Sequence, residues 1–209
     1  MRIIFATKNN DKLREISEIL KDRDISILSM TQAQIEGEAE ENGRTFEENA
    51  LLKARYVFEA NGKKEGDYIL ADDSGLEIDA LGGEPGVLSA RYLGKDTSYH
   101  EKNGDLIRRL EGIPDEKRTA RFVCAIAAIR PDGSELVIRE TMEGRIGYEE
   151  AGENGFGYDP IFFLPEFNKT SAEISPEQKN GISHRGKALR RMCSELFVTV
   201  QWSTRPRKQ

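Results

Sequence analysis

The sequence predicts an α/β protein. Three observations carry that reading: an apolar run followed by an amphipathic helix at the N-terminus, a second helix opened by a cap signature, and a middle third with the alternation and turn residues of a hairpin. Arg2 to Ala6 reads as a short buried strand, and Asp11 to Lys21 places Leu13, Ile16, Ile19 and Leu20 on one helical face. Asp24 to Met30 turns Ile25 and Ile27 to one side, as a second strand would. Glu36 to Gly43 is an acidic loop. Thr45-Phe46-Glu47-Glu48 spells a capping box, in which Thr45 and Glu48 satisfy each other's orphan amides, so a helix is expected from Phe46 to Ala60, ended by Asn61-Gly62. Tyr68 to Ala71 is a strand. Asp72-Asp73-Ser74-Gly75 is expected to break from it before Leu76-Glu77-Ile78 resumes, which puts the acidic pair at a strand exit.

Leu81 to Gly86 must be a loop and Tyr99 to Leu110 a helix. Thr119 to Arg130 and Glu135 to Met142 flank Pro131-Asp132-Gly133, a hairpin signal. After the glycine-punctuated Gly152 to Gly157 comes a strand from Pro160 to Leu164. Ser175-Pro176 and Ser183 then each open a helix, the second carrying Leu189, Met192 and Leu196, and Ser203 to Gln209 reads as a frayed basic tail.

The chain has 209 residues, with 31 Lys and Arg against 37 Asp and Glu, a formal charge of −6. That length suits one large domain or two intimately packed lobes, and 37% apolar residues exclude global disorder. The longest apolar run, Phe122 to Ile129, is far short of the roughly 20 residues of a membrane span. The apolar residues after Arg2 give way at once to Thr7-Lys8-Asn9-Asn10, so no secretory core is present and a cytoplasmic protein is expected. Cys124 and Cys193 lack a CxxC or a ligand-spaced His and read as structural thiols. An acidic chain is a poor binder of duplex nucleic acid.

Three motifs nearly fit and fail. Gly181 to Ala188 spells GxxxxGK, but Ala188 stands where a phosphate loop needs a hydroxyl. Gly155-Phe156-Gly157 begins like a dinucleotide fingerprint, yet Pro160 replaces the third glycine. No GxSxG elbow surrounds Ser74. What remains is a distributed set. Thr7 to Lys12 joins the first strand to the first helix, where backbone amides, the helix dipole and Lys12 suit an oligophosphate. Glu36, Glu38, Glu40 and Glu41, with Asp72-Asp73, supply oxygen ligands of the kind magnesium or manganese takes. Ser183 as N-cap puts His184 and Arg185 in a helix's first turn, against the dipole, with Lys179 nearby. Lys53 shares a helical face with Asn49 and Tyr56, and His100 reads as surface.

Together these segments resemble the inosine triphosphate pyrophosphatases. The matching pieces, in order, are Thr7-Lys8-Asn9 with Lys12, Thr45 to Ala50, Ala71 to Leu76, Pro85-Gly86-Val87 with Ser89 to Tyr92, Gly155 to Pro160, and Ser183 to Gly186, spanning nearly the whole chain. Lys8 departs from the glycine many members carry, and residues 201–209 match nothing. The resemblance implies a single elongated, two-lobed α/β domain with a central mixed sheet, a nucleotide cleft between the lobes, a homodimer and a need for Mg2+, with Mn2+ able to substitute. It implies Glu40 and Asp73 as metal-binding acids, with Asp73 also the catalytic proton acceptor. It implies Thr7, Lys8, Asn9, Asn10, Asp11, Lys12 and Lys53 as substrate-binding on the phosphate side, and Ser74 as a substrate-binding serine. It implies Phe156, Gly157, Tyr158, Asp159, Lys179, His184 and Arg185 around the nucleotide and its base.

The activity so implied is hydrolysis of dITP, ITP and XTP to monophosphate and pyrophosphate, which keeps these purines out of DNA and RNA. Water would attack the α-phosphorus under the control of Asp73, with Lys12 and Lys53 stabilising the leaving pyrophosphate. Donors from His184 and Arg185 would pair with a C6 carbonyl, which adenine lacks, while Phe156 stacks on the purine. Two other readings fit the same residues: a pyrophosphatase for other modified nucleotides, and a nucleotide sensor without chemistry.

Overall fold

The computed structural model describes residues 2–21, 25–62 and 66–203, and their side chains up to residue 196. Its elements run β1 (Arg2–Phe5), α1 (Asn10–Leu20), β2 (Ser26–Ser29), α2 (Phe46–Ala60), β3 (Asp67–Ile78), α3 (Tyr99–Arg109), β4 (Thr119–Ile129), β5 (Glu135–Ile146), β6 (Phe162–Leu164), β7 (Lys169–Thr170), α4 (Pro176–Ile182) and α5 (His184–Ser203). The strands form one mixed sheet in the order β2-β1-β3-β4-β5-β6-β7. β1 pairs in parallel with β2 and β3, and the remaining pairings are antiparallel. The expected α/β class with a central mixed sheet is therefore what forms.

Period-two alternation along the strands splits the core between the two faces. Ile3, Phe5, Leu70, Cys124 and Ile126 pack with Ile16 and Leu20 of α1 and with Leu189, Met192, Cys193 and Leu196 of α5. Their neighbours Ile4, Ile69, Ala71, Val123, Ala125 and Ala127 pack against Phe46, Ala50, Ala54 and Val57 of α2. A third cluster gathers Leu76 and Ile78 with Leu106, Leu110, Phe122, Ile146, Ile161 and Phe162 toward the far end of the long strands. Both cysteines are buried in the first cluster, and burial beside Asp72 pushes the Cys124 thiol up to about 12, which keeps it inert. Among the described residues no helix is long and apolar enough to cross a membrane.

Several local expectations change. The acidic pair does not exit a strand: β3 runs unbroken through Asp72-Asp73-Ser74-Gly75, because β4 pairs with it from Ile69 to Ile78. Thr45 caps α2 by accepting from the Glu48 amide, but Glu48 reaches back to the Arg44 amide at 2.6 Å, so the reciprocal box closes one residue early. Complete capping boxes form instead at Ser98 with Glu101 and at Ser175 with Gln178. β2 is shorter than expected and β5 longer; Asp24, the expected start of the former, lies outside the described residues. Residues 159–161 form a 3₁₀ turn before β6. α5 continues to Ser203, and the rest of the expected tail, residues 204–209, lies outside the described residues.

Candidate functional site

In the order β2-β1-β3 the chain leaves β1 through α1 toward one side of the sheet and later returns through α2 to the other side. α1 and α2 cover opposite faces, so the gap between the carboxyl ends of β1 and β3 is a topological switch point, the place where open α/β sheets take ligands. Thr7 to Asn9 crosses that point. β3 outruns β1, whose pairing ends at Leu70, and so carries Asp72, Asp73 and Ser74 into the gap. A cleft of about 740 Å³ opens there, lined by residues from the segments around Thr7, Ser74, Val87 to Arg91, Phe156 and Arg185, with Lys53 and Tyr56 from α2.

Because successive strand residues point to opposite faces, the two aspartates part company. Asp72 turns to the α1/α5 face, where its Oδ2 lies 2.9 Å from Lys12 Nζ, 3.4 Å from Arg185 Nη2 and 3.1 Å from Ser74 Oγ, which donates to it. Burial disfavours its charge, yet Lys12, Arg185 and Lys53 outweigh that and hold the carboxyl well below the usual range. Asp73 turns to the α2 face. Lys53 Nζ donates to its Oδ1 at 2.9 Å and Asn49 Nδ2 to its Oδ2 at 3.2 Å. Here burial prevails over Lys53 and Lys12, with Glu41 adding to it, and the Asp73 carboxyl is raised. Adjacent carboxylates thus differ in character: cations hold Asp72 below the usual range, while burial raises Asp73.

The acidic loop borders the same cleft through Glu38, Glu40 and Glu41. Glu40 is exposed. Its neighbour Glu41 reaches furthest inward, 3.6 Å from Lys53 Nζ, and Glu38 pairs with Lys8 at 3.0 Å on the rim. Among the described residues, no three His, Cys, Asp or Glu side chains form a ready-made metal cage.

At the other end, Lys179 Nζ sits 2.7 Å from Asp159 Oδ2 and 3.0 Å from Glu15 Oε1, and Arg185 also donates to Glu15. Burial opposes the Lys179 charge, but Asp159 and Glu15 raise its pKa. Arg185 Nη2 donates to Ser74 Oγ at 3.0 Å, and its Nε has no partner. Phe156 is half-buried, its ring 5.1 Å from Lys179 Nζ and 5.9 Å from Arg185 Cζ. His184 stacks on Phe122 with ring centroids 5.0 Å apart. Burial, with Arg185 and Lys179 nearby, holds the imidazole well below its ordinary pKa, so it is a neutral ring whose Nδ1 is unpaired. Tyr158 and Asp159 are buried, the former donating to Ser89 O and the latter accepting from the Phe156 amide at 2.9 Å.

Of the expected residues, Thr7, Lys8, Asn9, Lys12, Glu40, Lys53, Asp73, Ser74, Phe156, Gly157, Tyr158, Asp159, Lys179, His184 and Arg185 meet in the cleft. Asn10 and Asp11 are not part of its lining; Asp11 faces Arg14 at 3.1 Å. The expectation that the first-turn amides of α1 are open to an anion also changes, since Asn9 Oδ1 accepts from the Asp11 and Lys12 amides at 2.9 and 3.1 Å. His100 is at the surface, paired with Glu150. Sequence reasoning missed Glu15, Asn49 and Phe122. Glu15 and Asn49 look like ordinary helix residues until a partner distant in sequence is known, and Phe122 like a core aromatic.

A profile of the Ham1 family matches residues 3–195. The chain is 47% identical over 196 residues to a dITP/XTP pyrophosphatase of Exiguobacterium sibiricum, covering 94% of this chain and 97% of the relative. It is 44% identical to one of Clostridium perfringens, covering 93% and 97%. The fold superposes on a HAM1 protein from Coxiella burnetii with a TM-score of 0.84 at 41% identity, covering 94% and 98%, and on the Staphylococcus aureus Ham1 protein with a TM-score of 0.83 at 38%, covering 95% and 100%. With the profile spanning all but the ends of the chain, and such identity over nearly its whole length, this protein belongs to the Ham1 family.

Proposed function

We propose that the protein hydrolyses non-standard purine nucleoside triphosphates (dITP, ITP and XTP) to the monophosphate and pyrophosphate, and so keeps these bases out of DNA and RNA. The observation that carries this reading is one cleft with Lys12 and Lys53 beside two carboxylates of opposite character at one end, and Phe156, His184 and Arg185 at the other. Relatives bearing the dITP/XTP pyrophosphatase name at 44–47% identity support it.

Asp73 orients the attacking water and accepts its proton; its raised pKa suits that task better than the tightly paired Asp72. Lys12 and Lys53 turn from their carboxylates to the departing pyrophosphate, where their charge is of most use as negative charge builds on the leaving group. Arg185 and the neutral His184 offer donors to a C6 carbonyl, and Phe156 supplies the stacking face.

Magnesium fits the donors present. Asp73, Glu40 and Glu41 offer only hard carboxylate oxygens, and Mg2+ is held by one or two carboxylates with waters and phosphate oxygens completing its shell, so the lack of a three-acid cage is no obstacle. Bound there, the ion would neutralise triphosphate charge, and Mn2+ could replace it. We further propose a single two-lobed domain, with the third apolar cluster as the core of the second lobe, acting as a cytoplasmic homodimer. A panel of dITP, ITP, XTP, dUTP and ATP, assayed for pyrophosphate against orthophosphate with and without Mg2+, tests the reading. Orthophosphate release, or a preference for ATP, would sink it.

A further inference from the structure

Asn49, Lys53 and Tyr56 lie at i, i+4 and i+7 on α2, one stripe along a single face. All three hold parts of the cleft. Tyr56 donates to the Glu36 carbonyl at 2.7 Å, anchoring the start of the acidic loop. Lys53 spans Asp73 and Glu41 in the middle. Asn49, fully buried, works at the loop's end with both halves of its amide: Oδ1 accepts from the Gly43 amide at 2.8 Å while Nδ2 donates to Asp73 Oδ2 at 3.2 Å.

The two bonds depend on each other. Acceptance from Gly43 leaves only the NH2 group of Asn49 to face the carboxylate, so the amide cannot flip without losing both partners. The loop backbone comes so close that a Cβ at Gly43 would stand 2.7 Å from Asn49 Oδ1 and 2.8 Å from Glu48 Cβ. Lys53 on Oδ1 and Asn49 on Oδ2 hold both oxygens of Asp73 in the resting cleft, and when Lys53 turns to the pyrophosphate Asn49 is the partner left to aim the carboxylate relative to the loop that bears Glu40 and Glu41. Neither a packing residue nor a solvated one needs this arrangement.

We propose that Asn49 is a positioning residue of the reaction, whose single amide aims the Asp73 carboxylate and docks the acidic loop beside it. The inference rests on the reading of Asp73 as the water-activating group. An aspartate side chain at this position keeps the size and the acceptor toward Gly43 but puts a carboxyl in place of the donor toward Asp73; alanine loses both partners.

The test uses the full chain with ITP and saturating Mg2+, comparing Asn49→Asp, Asn49→Ala and Asp73→Asn for kcat and KM, together with hydrogen exchange at the Gly43 amide. Asn49→Asp should lower kcat on the order of 10–100-fold, as removal of an outer partner does, with KM much less affected and Gly43 protection retained. Asn49→Ala should lower kcat similarly and also speed Gly43 exchange. Asn49→Asp is isosteric but sets a second carboxyl against Asp73, so its kcat is read beside the pH–rate profile: lost aim lowers kcat at every pH, whereas repulsion alone moves the profile to higher pH. Wild-type kcat in Asn49→Asp beside an inactive Asp73→Asn would overturn this proposal alone. Unchanged Gly43 exchange in a folded Asn49→Ala would overturn the docking half, and near-normal turnover in Asp73→Asn would overturn both the proposal and the reading beneath it.

Discussion

Asp72 and Asp73 are neighbours in the chain but serve opposite faces of β3, Asp72 bound to Lys12 and Arg185 and Asp73 to Lys53 and Asn49. Replacing each by asparagine should therefore separate stability from activity. Asp72→Asn takes one counter-charge from the buried Arg185 and, among the described residues, the only close one from the half-buried Lys12, which costs about 3–5 kcal/mol when one partner of a buried pair is removed. Burial raises the Asp73 carboxyl, so its charge contributes little net stability, while Lys53 keeps Asp72 and Glu41 as counter-charges once Asp73 is neutral; an amide there should cost much less stability than one at Asp72. Asp73→Asn should nevertheless lower kcat by about 10²–10⁴. Urea unfolding beside ITP turnover checks both, and a stable Asp72→Asn or a fully active Asp73→Asn would contradict the division of labour.

Gly75 follows on the same strand and is expected to tolerate no side chain. A Cβ there would lie 2.3 Å from Ser89 Oγ, 2.7 Å from the Gly86 carbonyl and 2.9 Å from Phe46 Cε1. Ser89 has little room to yield, because its hydroxyl accepts from the Leu76 amide and donates to Gly86 O. Gly75→Ala should lose about 1–3 kcal/mol, the usual cost of overpacking, and loosen the 86–91 turn against β3. A melting temperature equal to that of the wild type would show that the turn moves aside freely.

Arg185 is the residue on which base choice should turn, but it is also the partner of Glu15, Asp72 and Ser74. Alanine would leave those carboxylates uncompensated, so Arg185→Lys is the cleaner probe: it keeps the charge and loses the planar fork. The expected outcome is a fall in kcat/KM for ITP on the order of 10–100-fold, with little change for ATP, which offers the fork no C6 acceptor. Equal losses on both nucleotides would assign Arg185 to holding Asp72 rather than to reading the base.

The strand and helix periods were legible because they are local. Ile16 and Leu20 fall where the 3.6-residue face of α1 puts them, and the Pro131-Asp132-Gly133 turn joins β4 to β5 as its residues demand. The strand exit expected at Asp72 does not form, for a physical reason. Local preference disfavours Asp-Asp-Ser-Gly in a strand, but ten pairings with β4 and lysines from two other elements override it. The residues of the cleft were legible as chemistry, while their pairing was not: nothing local in the sequence says that Lys12 answers Asp72 and Lys53 answers Asp73. That assignment follows from the alternation of β3 together with α1 and α2 lying on opposite faces, which needs the topology. Glu15 shows the same limit, since its partners lie more than 160 positions away.

His184 supplies a pH dependence with a definite sign. Its ordinary pKa is 6.5, and burial with Arg185 and Lys179 lowers it far below that in the folded protein. Above pH 6.5 neither the folded nor the unfolded chain binds a proton here, and the contribution to stability is constant. As the pH falls below 6.5 the unfolded chain takes up a proton that the folded chain refuses, so stability declines by up to about 1.4 kcal/mol per pH unit until the folded pKa is reached. Substituting His184→Asn removes this loss and leaves the carboxylates titrating as before. The variant is expected to be the less stable protein at pH 7.5, having lost the stacking on Phe122, yet to lose less stability than the wild type between pH 6.5 and 5.5. Urea unfolding at those three pH values measures the difference, and parallel declines in the two proteins would show that His184 takes up its proton in the folded cleft.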